Sequence, residues 1–157
     1  MPIDETTVLF FDSSCLIAAA GSPTGGSSLL LAICARGFLT GSASHAVLAE
    51  AEGNILSNLL PPALTRYQQE ILRIPLAVAH IPSPAEREAA APVTGEKDAH
   101  VLASALHVGA DYLITLDRRL EDRIVNNEQL SLQALSPGAF ITGHLPMHPA
   151  YHSIQSE

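Results

Sequence analysis

The sequence predicts an α/β fold, a parallel sheet of about five strands covered by helices on both faces. Three observations predict it. Short apolar runs alternate with helical stretches along the chain. Those runs are apolar on both faces rather than alternating, as in strands buried from two sides. The chain has 157 residues, 47% hydrophobic and only 4% aromatic, which suits one domain with an aliphatic core.

Val8–Phe11 reads as a buried strand that ends at Asp12. Ser13–Ala20 suits a short helix, closed by Gly21 and Pro23. Gly25-Gly26-Ser27-Ser28 leads into a second helix that runs to Arg36. Gly37 ends it, and Phe38–Thr40 is the expected second strand. Ser44 is placed to cap a helix running to about Leu60, and Pro61-Pro62 opens another to about Leu72. Leu76–Ala79 is the third strand, followed beyond Pro82 and Pro84 by an Ala/Glu-rich helix to Ala91. Thr94 is placed to cap a helix from about Glu96 to His107, which Gly109 stops. Tyr112–Thr115 and Leu130–Leu135 are the last two strands, and Ser136-Pro137-Gly138 opens a final helical turn. With no internal repeat or linker, the expectation is one domain over residues 1–142 and a C-terminal tail over 143–157.

Composition excludes several functions. The apolar content is too high for a disordered chain. The longest apolar run, Leu29–Ala35, falls far short of the ~20 residues of a membrane span. The opening residues carry Asp4 and Glu5 and no basic side chain, unlike a signal peptide. Cys15 and Cys34 are expected as free, buried thiols, so the protein is read as cytoplasmic, with no membrane partner. With no Trp and a net charge of −8, a broad basic or aromatic nucleic-acid surface is not expected.

Ligands of parallel α/β folds sit beyond the carboxyl ends of the strands. Asp12 follows the first strand and Asp117 the strand at 112–115, while Asp98 opens the helix leading to that strand. Glu50 lies in the helix after the second strand. Topology therefore brings four carboxylates toward one edge. Such a cluster raises its own pKa values unless a cation sits in it, and all-oxygen sites select Mg²⁺ or Mn²⁺ over zinc. Each acid has a plainer role as a helix cap or dipole partner, so the conjunction carries the argument. Glu52 competes with Glu50. Glu52 shares its helical line with Leu48, Ile55, Leu56 and Leu59, whereas Glu50 lies with the small or polar Ala46, Gly53, Asn54 and Ser57, which leaves room for ions.

Four segments resemble the PIN-domain family, which includes the VapC-type toxin ribonucleases. They are Leu9-Phe10-Phe11-Asp12-Ser13-Ser14, Val47-Leu48-Ala49-Glu50, Lys97-Asp98 with the helix to Ala105, and Gly109-Ala110-Asp111 with the strand to Asp117. The likeness runs from about Val8 to Phe140 and is most specific from Asp98 to Asp117. It implies a three-layer α/β/α sandwich and an endoribonuclease dependent on Mg²⁺ or Mn²⁺. Asp12, Glu50, Asp98 and Asp117 match the acidic quartet, as catalytic and metal-binding residues. Ser14 and Thr115 match the hydroxyls that support the first and last acids. The implied reaction is attack of a metal-activated water on phosphorus, leaving a 5′-phosphate and a 3′-hydroxyl. A homodimer and an antitoxin partner are further expectations. Apolar helices at 28–35 and 46–60 offer surface for the dimer, although most of their side chains suit the core.

Arg118, Arg119 and Arg123 follow Asp117 and hold three of the eight basic residues. They suit either a phosphate clamp or pairing with Glu121 and Asp122. His144, His148 and His152 recur every four residues, but Pro146 and Pro149 break the helix that a metal clamp would need. Two other functions share these residues: a PIN-like scaffold with vestigial acids, and a structure-specific DNA nuclease, for whose extra helices the chain has little room. A phosphatase of the haloacid-dehalogenase type needs a second Asp where Ser14 stands. Setting the four site acids aside leaves 12 acids against 8 bases, a balance of −4. The charge therefore fits a nuclease that binds RNA weakly without metal and whose contacts are limited to its bound ions and Arg118, Arg119 and Arg123.

Overall fold

The computed structural model describes residues 2–58 and 61–156. Its sheet has five parallel strands among the described residues: β1 (Val8–Phe11), β2 (Thr40–Ser44), β3 (Ala77–Ala79), β4 (Tyr112–Ile114) and β5 (Gln133–Leu135), in the order β3-β2-β1-β4-β5. β1 is central, with Leu9 opposite both Gly41 and Tyr112. Leu9, Phe10 and Phe11 are fully buried, as a strand covered on two faces requires.

The helices are α1 (Ser13–Gly21), α2 (Gly26–Ala35), α3 (His45–Asn58), α4 (Pro61–Gln69), α5 (Pro84–Thr94), α6 (Ala99–His107), α7 (Arg118–Val125), α8 (Pro137–Gly143) and α9 (Tyr151–Gln155) among the described residues. They pack in two groups. α1 touches α2, α3 and α4, and α2 touches α8; on the other side α5 touches α6 and α7. The result is the three-layer α/β/α sandwich. The chain leaves β1 toward β2 and β3, then crosses back to β4 and β5, so the strand order reverses between β1 and β4. Crossovers diverge at that point and open a crevice at the carboxyl edge.

The second strand lies further along than expected, at Thr40–Ser44 instead of Phe38–Thr40. Its sequence, Thr-Gly-Ser-Ala-Ser, has little strand propensity, but strands pair with it on both sides and supply the ladder. Small side chains are needed there. A Cβ on Gly41 would stand 2.6 Å from the Leu76 side chain and 3.3 Å from Cys34 Sγ. Phe38 instead lies under the Arg36 guanidinium, and its carbonyl accepts from His148 Nε2 at 2.7 Å.

Thr94 does not cap the helix after it. It ends α5 as a buried residue, and Asp98 occupies the N-cap position of α6. Gly95, at φ 84°, turns the chain between the two helices, so α6 starts later than predicted. Ser44 and Ser136 do cap: their hydroxyls accept from Val47 N and Ala139 N, both at 3.1 Å. The expected helix end at Leu60 lies outside the described residues. α4 stops at Gln69, with a 3-10 turn at Ile71–Arg73.

Beyond α8, a 3-10 turn at Leu145–Met147 and α9 continue the chain, so the turn at Pro137 is not the last. Leu145 and Ile154 are buried, and the Arg36 guanidinium donates to the carbonyls of Ser153 and Ile154, both at 3.1 Å. His148 is buried, and His144 stacks on Phe140. Cys15 and Cys34 are buried and free, and burial pushes both thiols up to about 12. Among the described residues, no single helix is long and apolar enough to cross a membrane.

Candidate active site

β1 delivers Asp12 to the crevice, and β4 delivers Thr115, Leu116 and Asp117 beside it. Asp12 is only 7% exposed, so its charge needs partners. Two hydroxyls provide them. Ser14 Oγ and Thr115 Oγ1 donate to Asp12 Oδ2 at 2.9 and 2.8 Å. Each hydroxyl in turn accepts a backbone N–H from the loop after β4: Leu116 N donates to Ser14 Oγ, and Asp117 N to Thr115 Oγ1, both at 3.0 Å. Two relays thus tie the loop to one carboxylate oxygen and fix the direction of each hydroxyl proton. Asp12 Oδ1 accepts no hydrogen bond among the described residues and remains for a ligand.

Asp117 sits at the N-cap of α7, and its Oδ1 accepts from Arg119 N at 3.0 Å and Leu120 N at 3.3 Å. This is the capping role expected of an Asp after a strand, and it uses one oxygen only. Asp98, at the start of α6, caps nothing with its side chain. Burial pushes its carboxyl above the ordinary value, Asp12 and Asp117 push further in the same direction, Lys97 opposes, and Glu50 adds a smaller push. The four acids proposed from sequence therefore share one electrostatic environment.

α3 presents Glu50 toward α1, where Ser13 Oγ donates to Glu50 Oε1 at 2.8 Å. Glu52 faces α4 instead, accepting from Gln68 Nε2 at 3.3 Å; burial pushes the Tyr67 phenol up, and the Glu52 charge adds to it. Ser13 was not singled out from sequence. Its partner lies 37 residues away, and no local pattern marks that contact.

The donor set is all oxygen and carries net negative charge, which fits a hard divalent cation. Among the described residues no three His, Cys, Asp or Glu side chains stand at ligand spacing.

The three arginines separate. Arg118 lines a cleft next to Thr115 and Leu116. Arg119 is exposed, and its backbone N–H serves the Asp117 cap. Arg123 turns back and donates through its guanidinium to the Thr94 carbonyl, which braces the α5–α6 junction. Among the described residues none of the three pairs with Glu121 or Asp122.

A family model described as PIN domain matches residues 8–119. The chain is similar in structure to PAE2754 from Pyrobaculum aerophilum, at TM-score 0.57 and 21% identity, covering 83% of this chain and 84% of that one. It is similar to VapBC2 from Rickettsia felis, solved bound to a promoter DNA fragment, at TM-score 0.61 and 13% identity, covering 83% and 98%. It also resembles Mycobacterium tuberculosis VapC20, a sarcin-ricin loop cleaving toxin, at TM-score 0.54 and 16% identity, covering 79% and 98%. These likenesses concern the fold. Among curated proteins none matches. With the family match spanning most of the chain, this protein belongs to the PIN domain family.

Proposed function

We propose that this protein is an endoribonuclease dependent on Mg²⁺ or Mn²⁺ that cuts single-stranded RNA. The observation that carries the proposal is the shared field of Asp12, Asp98, Asp117 and Glu50, in which Asp98 is pushed toward its neutral form. A fold tolerates such a cluster where a cation offsets it.

Asp12 Oδ1, Asp98, Glu50 Oε2 and the second oxygen of Asp117 are the groups that would hold the ion. A bound divalent ion supplies a deprotonated water near neutral pH and charge neutralisation at the phosphate. Ser14 and Thr115 keep Asp12 oriented, and Ser13 does the same for Glu50. The products are a 5′-phosphate and a 3′-hydroxyl. The named structural relatives favour the role of toxin in a toxin–antitoxin pair, with an antitoxin as partner. Exposed Leu29 and Leu56, on α2 and α3, offer apolar surface for a homodimer.

A PIN-fold scaffold with vestigial acids is the second reading, favoured by the lack of three acids at ligand spacing among the described residues. Cleavage of single-stranded RNA with Mn²⁺ separates the two. We expect cutting by the wild type and loss of it in Asp12→Asn and Asp98→Asn. Equal activity in all three proteins contradicts the nuclease.

A further inference from the structure

We propose that the cleft beside the carboxylates is a nucleotide subsite that reads a guanine next to the scissile phosphate, an inference that rests on the nuclease reading above. The cleft measures about 780 Å³ and takes Thr115, Leu116, Arg118, Glu121, Asp122 and Gly138 into its lining. Sites for small organic ligands span ~300–1,000 Å³, so the space suits a nucleoside with its phosphate.

Three features define the occupant. The cleft adjoins the candidate site: Thr115, whose hydroxyl donates to Asp12 at 2.8 Å, stands in its lining, whereas the four acids do not. In this proposal a strand with one phosphate at the carboxylates lays its neighbouring nucleotide in the cleft. Arg118 stands exposed in the wall and, among the described residues, forms no ion pair, so it is available to the neighbouring phosphate.

Glu121 and Asp122 lie three and four residues beyond Arg118, on the same face of α7. They repel a phosphate, which directs the sugar–phosphate chain toward Arg118 and leaves the base to face the acids. Ionised carboxylates only accept hydrogen bonds, so the facing base edge must donate. Guanine offers adjacent N1–H and N2–H₂ groups, which match the two oxygens of a carboxylate. Uracil offers one N–H flanked by two carbonyls, which the acids repel. Leu116, 48% exposed, supplies an apolar surface for the plane of the base.

The test is a titration of the metal-free full chain with guanosine and uridine 5′-monophosphates, followed by amide NMR shifts. Guanosine monophosphate is expected to bind at least about tenfold more tightly and to shift Leu116, Arg118 and Gly138. Glu121→Ala combined with Asp122→Ala should bring the two affinities together. The ratio is the readout, because removing two negative charges strengthens every phosphate interaction alike. A Cβ on Gly138 would meet nothing within 4 Å, so Gly138→Leu fills the cleft without strain and should weaken both ligands. Equal wild-type affinities, a preference that survives the double substitution, or shifts confined to other regions would each overturn the subsite. Failure of the nuclease reading looks different: no Mn²⁺-dependent cutting of RNA, whatever the nucleotide ratio.

Discussion

β4 carries an aspartate at each end, and the two do opposite work. Asp111, before the strand, accepts from Val8 N through Oδ2 at 2.9 Å, while its backbone N–H donates to the Val8 carbonyl at the same distance. It fastens β4 to β1 and faces no other carboxylate among its hydrogen-bond partners. Asp117, after the strand, spends one oxygen on a helix cap and helps push Asp98 toward its neutral form. Residue type is the same at both ends. What differs is strand polarity: the carboxyl edge gathers loops and helix starts from several crossovers, so acids there meet one another. At the amino edge the acid finds a backbone donor and is satisfied.

The largest expected effect comes from breaking the carboxyl edge. Asp98→Asn should lower Mn²⁺-dependent RNA cleavage more than the ~10–100-fold seen for outer-shell partners of metal sites, measured as kcat/KM on a single-stranded oligonucleotide. Asp111→Ala should leave cleavage within a few-fold of wild type. Its cost belongs to stability: about 1–3 kcal/mol in urea unfolding, for the Val8 N–H left without its acceptor. A loss of cleavage in Asp111→Ala that exceeds its loss of fold would erase the distinction between the two ends.

Ser13→Ala tests the orientation of Glu50. Removing the 2.8 Å bond should weaken Mn²⁺ affinity about tenfold with little change in melting temperature, and Ser13→Thr should restore it. Calorimetry reads the affinity directly. If affinity is untouched while activity falls, Ser13 acts elsewhere.

The smallest effects concern pH. Asp98 is raised in the folded state, so the fold favours its protonated form. That contribution is present below the ordinary 3.8 and is lost as pH climbs through the raised value. Metal-free wild type should therefore lose this part of its stability on passing from acid to neutral pH, and Asp98→Asn should not. At the alkaline end, Cys15 and Cys34 lie near 12 against an ordinary 9.0, so stability should fall as pH rises from 9 toward 12. Cys34→Ala should flatten that slope in urea unfolding between pH 8 and pH 11.

The strands at the centre of the sheet were legible because Leu9-Phe10-Phe11 and Tyr112-Leu113-Ile114 are apolar without alternation. From them, the positions of Asp12 and Asp117 followed from topology alone. β2 was misplaced because Thr-Gly-Ser-Ala-Ser owes its strand to neighbours on both sides and to tight packing at Gly41. The start of α6 was not legible, because Gly95, at φ 84°, turns the chain after Thr94 and the helix begins only at Ala99. Helical lines favoured Glu50 over Glu52, and the two acids turn to different partners, Glu50 to Ser13 and Glu52 to Gln68. Local spacing could not separate Arg118 from Arg123, since the Thr94 carbonyl that holds Arg123 belongs to a distant helix end.

The most direct test of the account is the melting temperature of wild type and Asp98→Asn, each with and without Mn²⁺. An unoffset carboxylate cluster costs stability, and an ion bound only to the folded state returns it. The account predicts that Asp98→Asn melts above wild type without metal, and that Mn²⁺ raises wild type strongly and the variant little. If Asp98→Asn melts lower without metal, or Mn²⁺ shifts both proteins equally, the carboxyl edge of this sheet is not a metal site.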